Sequence, residues 1–263
     1  MTDLLTRARR GQSLADYGII DMHGHLGRPD FTIPERSGES LVRVMDRVGI
    51  RTSVCAHMSC LSDCTSAGND RMLEAMRAHP GRILAYVILW PVDARWVKDE
   101  CKRRLGQGFV GIKLHNISGF GYDDPAYLPA LEIANRRRLP VLFHTWGAAE
   151  EFEQLGGIAK RFPEANLLLA HTGCQNEEEY VRFANEHANV HLELCLSRSP
   201  RGLIERLVRA VPVEKIIWGS DALFLNMAQQ LGKVVGADIP EEAKKVILSA
   251  NAKRILSQAE IMA

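Results

Sequence analysis

Residues 20–27 read IDMHGHLG, an apolar run that ends in an acid and two histidines at alternate positions. Along a β-strand, residues i and i+2 share a face. His23 and His25 can therefore offer two imidazoles to one cation from one rigid strand. Neutral imidazole suits zinc and other first-row divalent metals. Asp21, one step further down that face, is placed to accept a hydrogen bond from a ligand imidazole and fix its tautomer. An isolated HxH pair occurs often by chance. Here its weight comes from the residues that end the other apolar runs. These are His57, then Lys113 and His115, then His144, His171 and finally Asp221, so that six of the nine histidines stand at strand ends.

Such residues meet only if the chain brings its strand ends together. Apolar stretches alternate with amphipathic ones: strands over 18–25, 51–57, 83–90, 109–115, 139–146, 165–173, 189–197 and 214–221, with helices at 39–49, 71–80, 94–108, 127–138, 150–162, 177–188 and 202–211 between them. Helices over 226–236 and 241–256 close the chain. Continuous apolar strands imply burial on both faces of a parallel sheet, and eight strand–helix units fit a single (β/α)8 TIM barrel with an extra C-terminal helix, spanning 1–263 as one domain. An open doubly wound sheet is the runner-up, but no glycine-rich phosphate loop follows the first strand. Residues 59–70 read as the longest loop. The basic clusters 101–104 and 135–138 read as solvated charge that complements helix C-termini.

In a barrel, the strand C-termini converge on one mouth, and that face carries the chemistry. Composition points the same way by exclusion. The 263 residues are 46% apolar and 25% charged, with a net charge of +1. That balance gives no electrostatic case for nucleic acid or an anionic membrane. No apolar run approaches the roughly 20 residues that span a bilayer. The N-terminus has the wrong order of charge and apolarity for a signal peptide. Six cysteines are too few for a disulfide scaffold, so a reducing cytoplasm with free thiols is expected.

DMHGH, GIKLH, VLFHTW, LLAHTG and IIWGSD, in this order, resemble the amidohydrolase superfamily. The branch most resembled is that of small metal-dependent hydrolases and decarboxylases related to aminocarboxymuconate-semialdehyde decarboxylase, from about residue 18 to 251–256. The resemblance implies that His23, His25 and His144 bind a divalent metal, most simply one zinc, with manganese, iron or cobalt as alternatives. It further implies that Asp221 binds or approaches the metal and takes a proton from its water. His171 would sit beside that water. In binuclear relatives the lysine at the position of Lys113 is carbamylated and bridges two metals; in this branch a GIK motif often stands there without that chemistry. Lys113 could instead hold a substrate carboxylate or pair with a buried acid. His115, on the same face, is a candidate for substrate contact. Relatives are often dimers, so a homodimer is one option.

The remaining residues are more ambiguous. His57, Cys60 and Cys64 form an HxxCxxxC cluster without an evident fourth zinc ligand, and reduced loop thiols are the default. Cys174 and Cys195 either line the pocket or fill space. Trp90 and Trp146 can wall a pocket or pack at the rim. Arg198 and Arg201 follow the seventh strand, where an arginine fork would suit a carboxylate substrate. His79, His187 and His191 read as structural. The first functional reading is metal-assisted hydrolysis of a small amide, lactone or ester. The second is decarboxylation or hydration of a small carboxylic acid, and the third a metal-binding barrel without catalysis.

Overall fold

A computed structural model describes residues 3–28, 37–62 and 65–260. Eight parallel strands, β1 (Ile19–Leu26), β2 (Ile50–His57), β3 (Ile83–Ile88), β4 (Gly111–Leu114), β5 (Pro140–Phe143), β6 (Asn166–Leu169), β7 (Val190–Glu193) and β8 (Ile216–Ile217), pair in sequence order. The last strand returns to the first. Met22 N donates to Trp218 O at 3.1 Å, Asp221 N donates to His23 O at 2.6 Å, and Gly24 bridges Ala222 in parallel. The result is a nearly closed (β/α)8 barrel followed by a C-terminal helix.

Strand residues alternate between two apolar clusters. Val141, Phe143, Leu167, Leu169 and Ile216 pack with helix residues such as Leu131, Phe152, Leu155, Tyr180 and Leu207. Their neighbours Leu142, Leu168 and Ile217 join a second cluster with Tyr86 and Ile88. Such two-sided burial requires the near-continuous apolar strands seen in the sequence. The outer layer comprises α1 (Leu4–Arg9), α2 (Gly38–Val48), α3 (Thr65–Ala78), α4 (Ala94–Leu105), α5 (Leu128–Arg136), α6 (Ala149–Arg161), α7 (Glu177–Glu186), α8 (Leu203–Ala210) and α9 (Met227–Gly236). After these come α10 (Glu241–Lys245) and α11 (Asn251–Gln258), which a π turn over Val246–Ala250 joins into one run. None of these helices is long and apolar enough to cross a membrane.

Three expectations need correction, and one helix is added. The stretch 59–70 is not one loop, because α3 starts at Thr65. Asn69 explains why: it donates to Ile88 O at 3.0 Å and Glu100 Oε1 at 2.9 Å and accepts from Ile88 N at 2.9 Å, so tertiary bonds fix a locally weak helix former. The cluster 101–104 is not all solvated. Arg104 is wholly buried, with bonds to Glu100 at 2.7 Å and Asp70 at 2.6 Å. The eighth strand is short, Ile216–Ile217 rather than 214–221, because the chain leaves the ladder to deliver Asp221. The helix α1 was not anticipated at all; Asp3 caps it by accepting from Thr6 N at 2.8 Å.

The glycine between the two histidines of β1 has a definite task. A Cβ at Gly24 would stand 2.5 Å from Ser53 Oγ and 2.7 Å from Cys55 Sγ. Its absence lets β1 and β2 close where their register shifts, between Asp21 and Gly24.

Candidate metal centre

His23 and His25 are both buried at the end of β1, and their Nε2 atoms face each other at 3.1 Å. Asp221 follows β8, with φ of 54°. Its Oδ1 lies 3.1 Å from His25 Nε2 and 3.7 Å from His23 Nε2. His25 Nδ1 is 3.2 Å from Ala56 O. A carbonyl can only accept, so this tautomer leaves His25 Nε2 bare. A bare nitrogen and a carboxylate oxygen at 3.1 Å require a cation or an added proton between them. Ligands about 2.0–2.1 Å from a common zinc ion stand about 2.9–3.4 Å apart at 90–109°; the His23–His25 and His25–Asp221 pairs, at 3.1 Å each, fit that spacing, and the His23–Asp221 pair, at 3.7 Å, is wider.

Electrostatics favour neutral, metal-ready imidazoles. Burial, with the positive charge of Lys113 second, holds His23 well below the ordinary histidine value. Burial and the neighbouring His115 do the same to His144. His171 is pushed down to about 4, chiefly by burial, against a pull upward from Asp221. Lys113 is wholly buried, its Nζ is 3.3 Å from His23 Nε2, and desolvation lowers its pKa.

His144, at the end of β5, stands beside the triad rather than within it. Among the described residues, the donor atoms that gather within 4.8 Å are those of His23, His25 and Asp221, and of His23, His171 and Cys195. His171 Nδ1 lies 3.1 Å from Cys195 O and its Nε2 lies 3.1 Å from His144 Nδ1. Read from the carbonyl end, His171 carries its proton on Nδ1, and His144 donates from Nδ1 to His171 Nε2. That leaves His144 Nε2 bare, and this buried atom has no hydrogen-bond partner. A buried orphan nitrogen is what a missing ligand would satisfy.

The wall of the site is aromatic. His115 stacks on His144 with centroids 4.0 Å apart, and Trp146 lies 4.3 Å from His144. His115 is pushed down to about 2 by burial, with Lys113 contributing next. Glu151 on α6 shapes the loop that carries Trp146. Its Oε2 accepts from the N–H groups of Trp146, Gly147 and Ala148 at 2.8, 3.0 and 3.2 Å. The exposed large apolar residues Val92, Ile117, Phe120, Trp146 and Phe224 all lie in loops that follow strands, on the mouth side of the barrel.

Some expected residues fall elsewhere. Asp21 does not reach an imidazole. It is wholly buried and accepts from Ser220 N at 2.8 Å, Ser220 Oγ at 2.7 Å, Ser53 Oγ at 2.8 Å and His23 N at 3.1 Å. It stitches β1 to its neighbours on both sides instead. Arg198 and Arg201 are exposed along a groove with Lys233 and Gly236 of α9. His57 is half-buried, and its Nδ1 accepts from Ser59 N at 3.2 Å. Cys60 is buried, while Cys64 lies outside the described residues.

Two residues of the site were missed or undervalued. Glu193 is wholly buried at the end of β7, with its Oε2 3.1 Å from His23 Nδ1. Cys195 Sγ lies 3.2 Å from both His23 Nδ1 and His171 Nδ1. The available signal was a lone acid inside the apolar run NVHLELCLS, pointing the same way as the residues of the mouth.

A family model described as Amidohydrolase matches residues 20–258. With that barrel and that donor set, the chain belongs to the amidohydrolase family of enzymes. No curated protein sequence matches it. Among solved structures, it is similar to a 5-carboxyvanillate decarboxylase from Novosphingobium aromaticivorans complexed with manganese and 4-hydroxy-3-methoxy-5-nitrobenzoic acid, with TM-score 0.73, 13% identity, and 93% of this chain and 97% of that one covered. It is also similar to 4-oxalomesaconate hydratase from Rhodopseudomonas palustris, with TM-score 0.71, 18% identity, and 91% and 96% covered. A probable 2-pyrone-4,6-dicarboxylic acid hydrolase from Acinetobacter baumannii, with citric acid bound, gives TM-score 0.71, 14% identity, and 91% and 99% covered. At these identities the likeness is one of fold, and the three reactions differ.

Proposed function

We propose that the protein is a metal-dependent hydrolase that cleaves a small amide, lactone or ester bearing a carboxylate. The observation that carries this reading is the convergence of His23 Nε2, His25 Nε2 and Asp221 Oδ1, with His25 and Asp221 only 3.1 Å apart. His23, His25 and Asp221 hold one divalent cation, with zinc the first choice for this donor set, and the unpartnered His144 Nε2 supplies a further nitrogen. Bound there, a divalent cation lowers the pKa of water toward about 7. Asp221 accepts the proton at its carboxylate as water attacks and returns it to the leaving group. His171, neutral and aligned by Cys195 O, orients the attacking water or the substrate carbonyl. The buried positive charge of Lys113 attracts an anionic substrate, while His115 and Trp146 flank it. Arg198, in its separate groove, has no part in this reading.

The test is to strip the protein of metal, reload it with zinc or manganese, and assay a panel of lactones, esters and amides that carry a carboxylate. Turnover that follows metal content is expected. Stoichiometric metal with no turnover on the panel refutes the reading. A second reading, non-oxidative decarboxylation, draws support from the likeness to 5-carboxyvanillate decarboxylase. CO2 release from small hydroxybenzoic acids, without hydrolysis of the panel, would select it.

A further inference from the structure

The chemistry above gives Glu193 no task, yet it stands at the C-terminal end of β7 beside His23. It is wholly buried, and three donors and a ring nitrogen of His23 face its two oxygens. Cys195 N donates to Oε1 at 2.7 Å. At Oε2 lie His23 Nδ1 at 3.1 Å, the Cys195 thiol at 3.0 Å and His171 N at 3.3 Å.

We infer that Glu193 is a positioning residue, whose carboxylate holds the His23 proton on Nδ1 and so turns a bare Nε2 toward His25 and Asp221. Two independent features agree. The ammonium of Lys113 stands 3.3 Å from His23 Nε2, and an ammonium can only donate, so that nitrogen must accept. Gly219, in the loop after β8, leaves room for the pair. A Cβ there would overlap Glu193 Oε1 and stand 2.5 Å from His23 Cβ. One device thus accounts for a buried acid on β7 and a glycine after β8. A carboxylate behind a ligand imidazole fixes its ring and raises its basicity, and loss of such a partner typically lowers metal affinity about 10- to 100-fold. Only the consequence for affinity rests on the metal reading proposed above; the tautomer stands without it.

Long-range 1H–15N correlation spectra of metal-free protein labelled at histidine test the tautomer directly, with His23 assigned by its loss in His23→Gln. The expected result is a protonated Nδ1 and a bare Nε2. A proton on Nε2 overturns the inference, and this measurement needs no variant of Glu193. Zinc titration of Glu193→Met, a side chain of similar size that cannot play this acceptor role, is expected to show binding weakened about 10- to 100-fold, with circular dichroism unchanged. Binding within twofold of the unmodified protein overturns it. If Glu193→Met fails to fold, the spectra decide alone. If the unmodified protein takes up neither zinc nor manganese, the metal reading fails while the tautomer result still stands or falls by itself.

Discussion

Asp221 and His171 both hold left-handed backbone angles, with φ of 54° and 61°. For a non-glycine residue that conformation costs about 1–3 kcal/mol and persists where surrounding structure over-determines it. At Asp221 the determinants are visible. Its N–H donates to His23 O at 2.6 Å, and Leu225 N donates to its carbonyl at 2.7 Å. The carboxylate is thereby fixed against His25 rather than free to cap the following helix. Asp221→Asn keeps this backbone and the side-chain shape but loses the proton acceptor. The expected outcome is a kcat lowered about 10²- to 10⁴-fold, with thermal stability close to that of the unmodified protein, checked by steady-state assay and calorimetry. A loss under tenfold would remove Asp221 from the role of base. At this scale much of the site was readable, because alternation on β1 pairs His23 with His25 whatever the surroundings. Asp21 was misread for the opposite reason. Its partners are Ser53 on β2 and Ser220 in the loop after β8, and contacts across the closure are invisible in local spacing. Glu193 was passed over because its partner His23 lies 170 residues away.

Among the elements, β1 is the most constrained. All eight of its residues are buried, and it is hydrogen-bonded to β2 on one side and to the β8 region on the other. The close approach of β1 to β2 at Gly24 positions the two flanking histidines, so packing and chemistry are coupled here. Gly24→Ala forces a methyl group against Ser53 Oγ and Cys55 Sγ. Overpacking of this kind typically costs about 1–3 kcal/mol. The expected outcome is a lower urea midpoint together with reduced metal stoichiometry, since His23 and His25 cannot both keep their places. Full metal loading in a destabilised variant would show that the histidine pair tolerates movement of its strand. From β1 onward element type and order were legible, because burial on both faces writes long apolar runs into the sequence; α1, which precedes the barrel, left no such run. Boundaries were less so. The sequence suggests β8 over eight residues, whereas the ladder holds only Ile216 and Ile217 before the chain turns out to present Ser220 and Asp221. The start of α3 was hidden because Thr65–Asp70 have modest helix propensity, and contacts with β3 and α4 override it.

The whole barrel places its polar load at opposite ends, which separates function from stability in a measurable way. At the mouth, a metal that binds only the folded state adds RT ln(1 + [L]/Kd), about 2.7 kcal/mol at a hundredfold excess over Kd. The expected outcome is a melting temperature that rises with zinc or manganese and returns to the metal-free value on chelation, read by differential scanning fluorimetry. Unchanged melting over a wide range of metal concentration would contradict a mouth metal site. At the other end, His191 lies at the start of β7, buried, with Nε2 3.1 Å from Asn166 Oδ1. Burial, reinforced by Arg254 and Lys215, pushes its pKa from 6.5 down to about 3. The unfolded chain therefore binds a proton that the folded chain refuses between those values. The stability contributed by neutral His191 is complete above pH 6.5 and is lost as pH falls toward 3. Once the pH is a unit below 6.5, the loss is about 1.4 kcal/mol per pH unit. His191→Gln keeps a donor toward Asn166 and does not titrate. Every other group, including those at the mouth, titrates alike in both proteins and cancels in the difference. Urea denaturation at pH 7.5, 5.5 and 4.5 should therefore show the variant gaining on the unmodified protein as the medium acidifies, by about that slope. Stability curves that run parallel across this range would mean that His191 is not held neutral in the folded barrel.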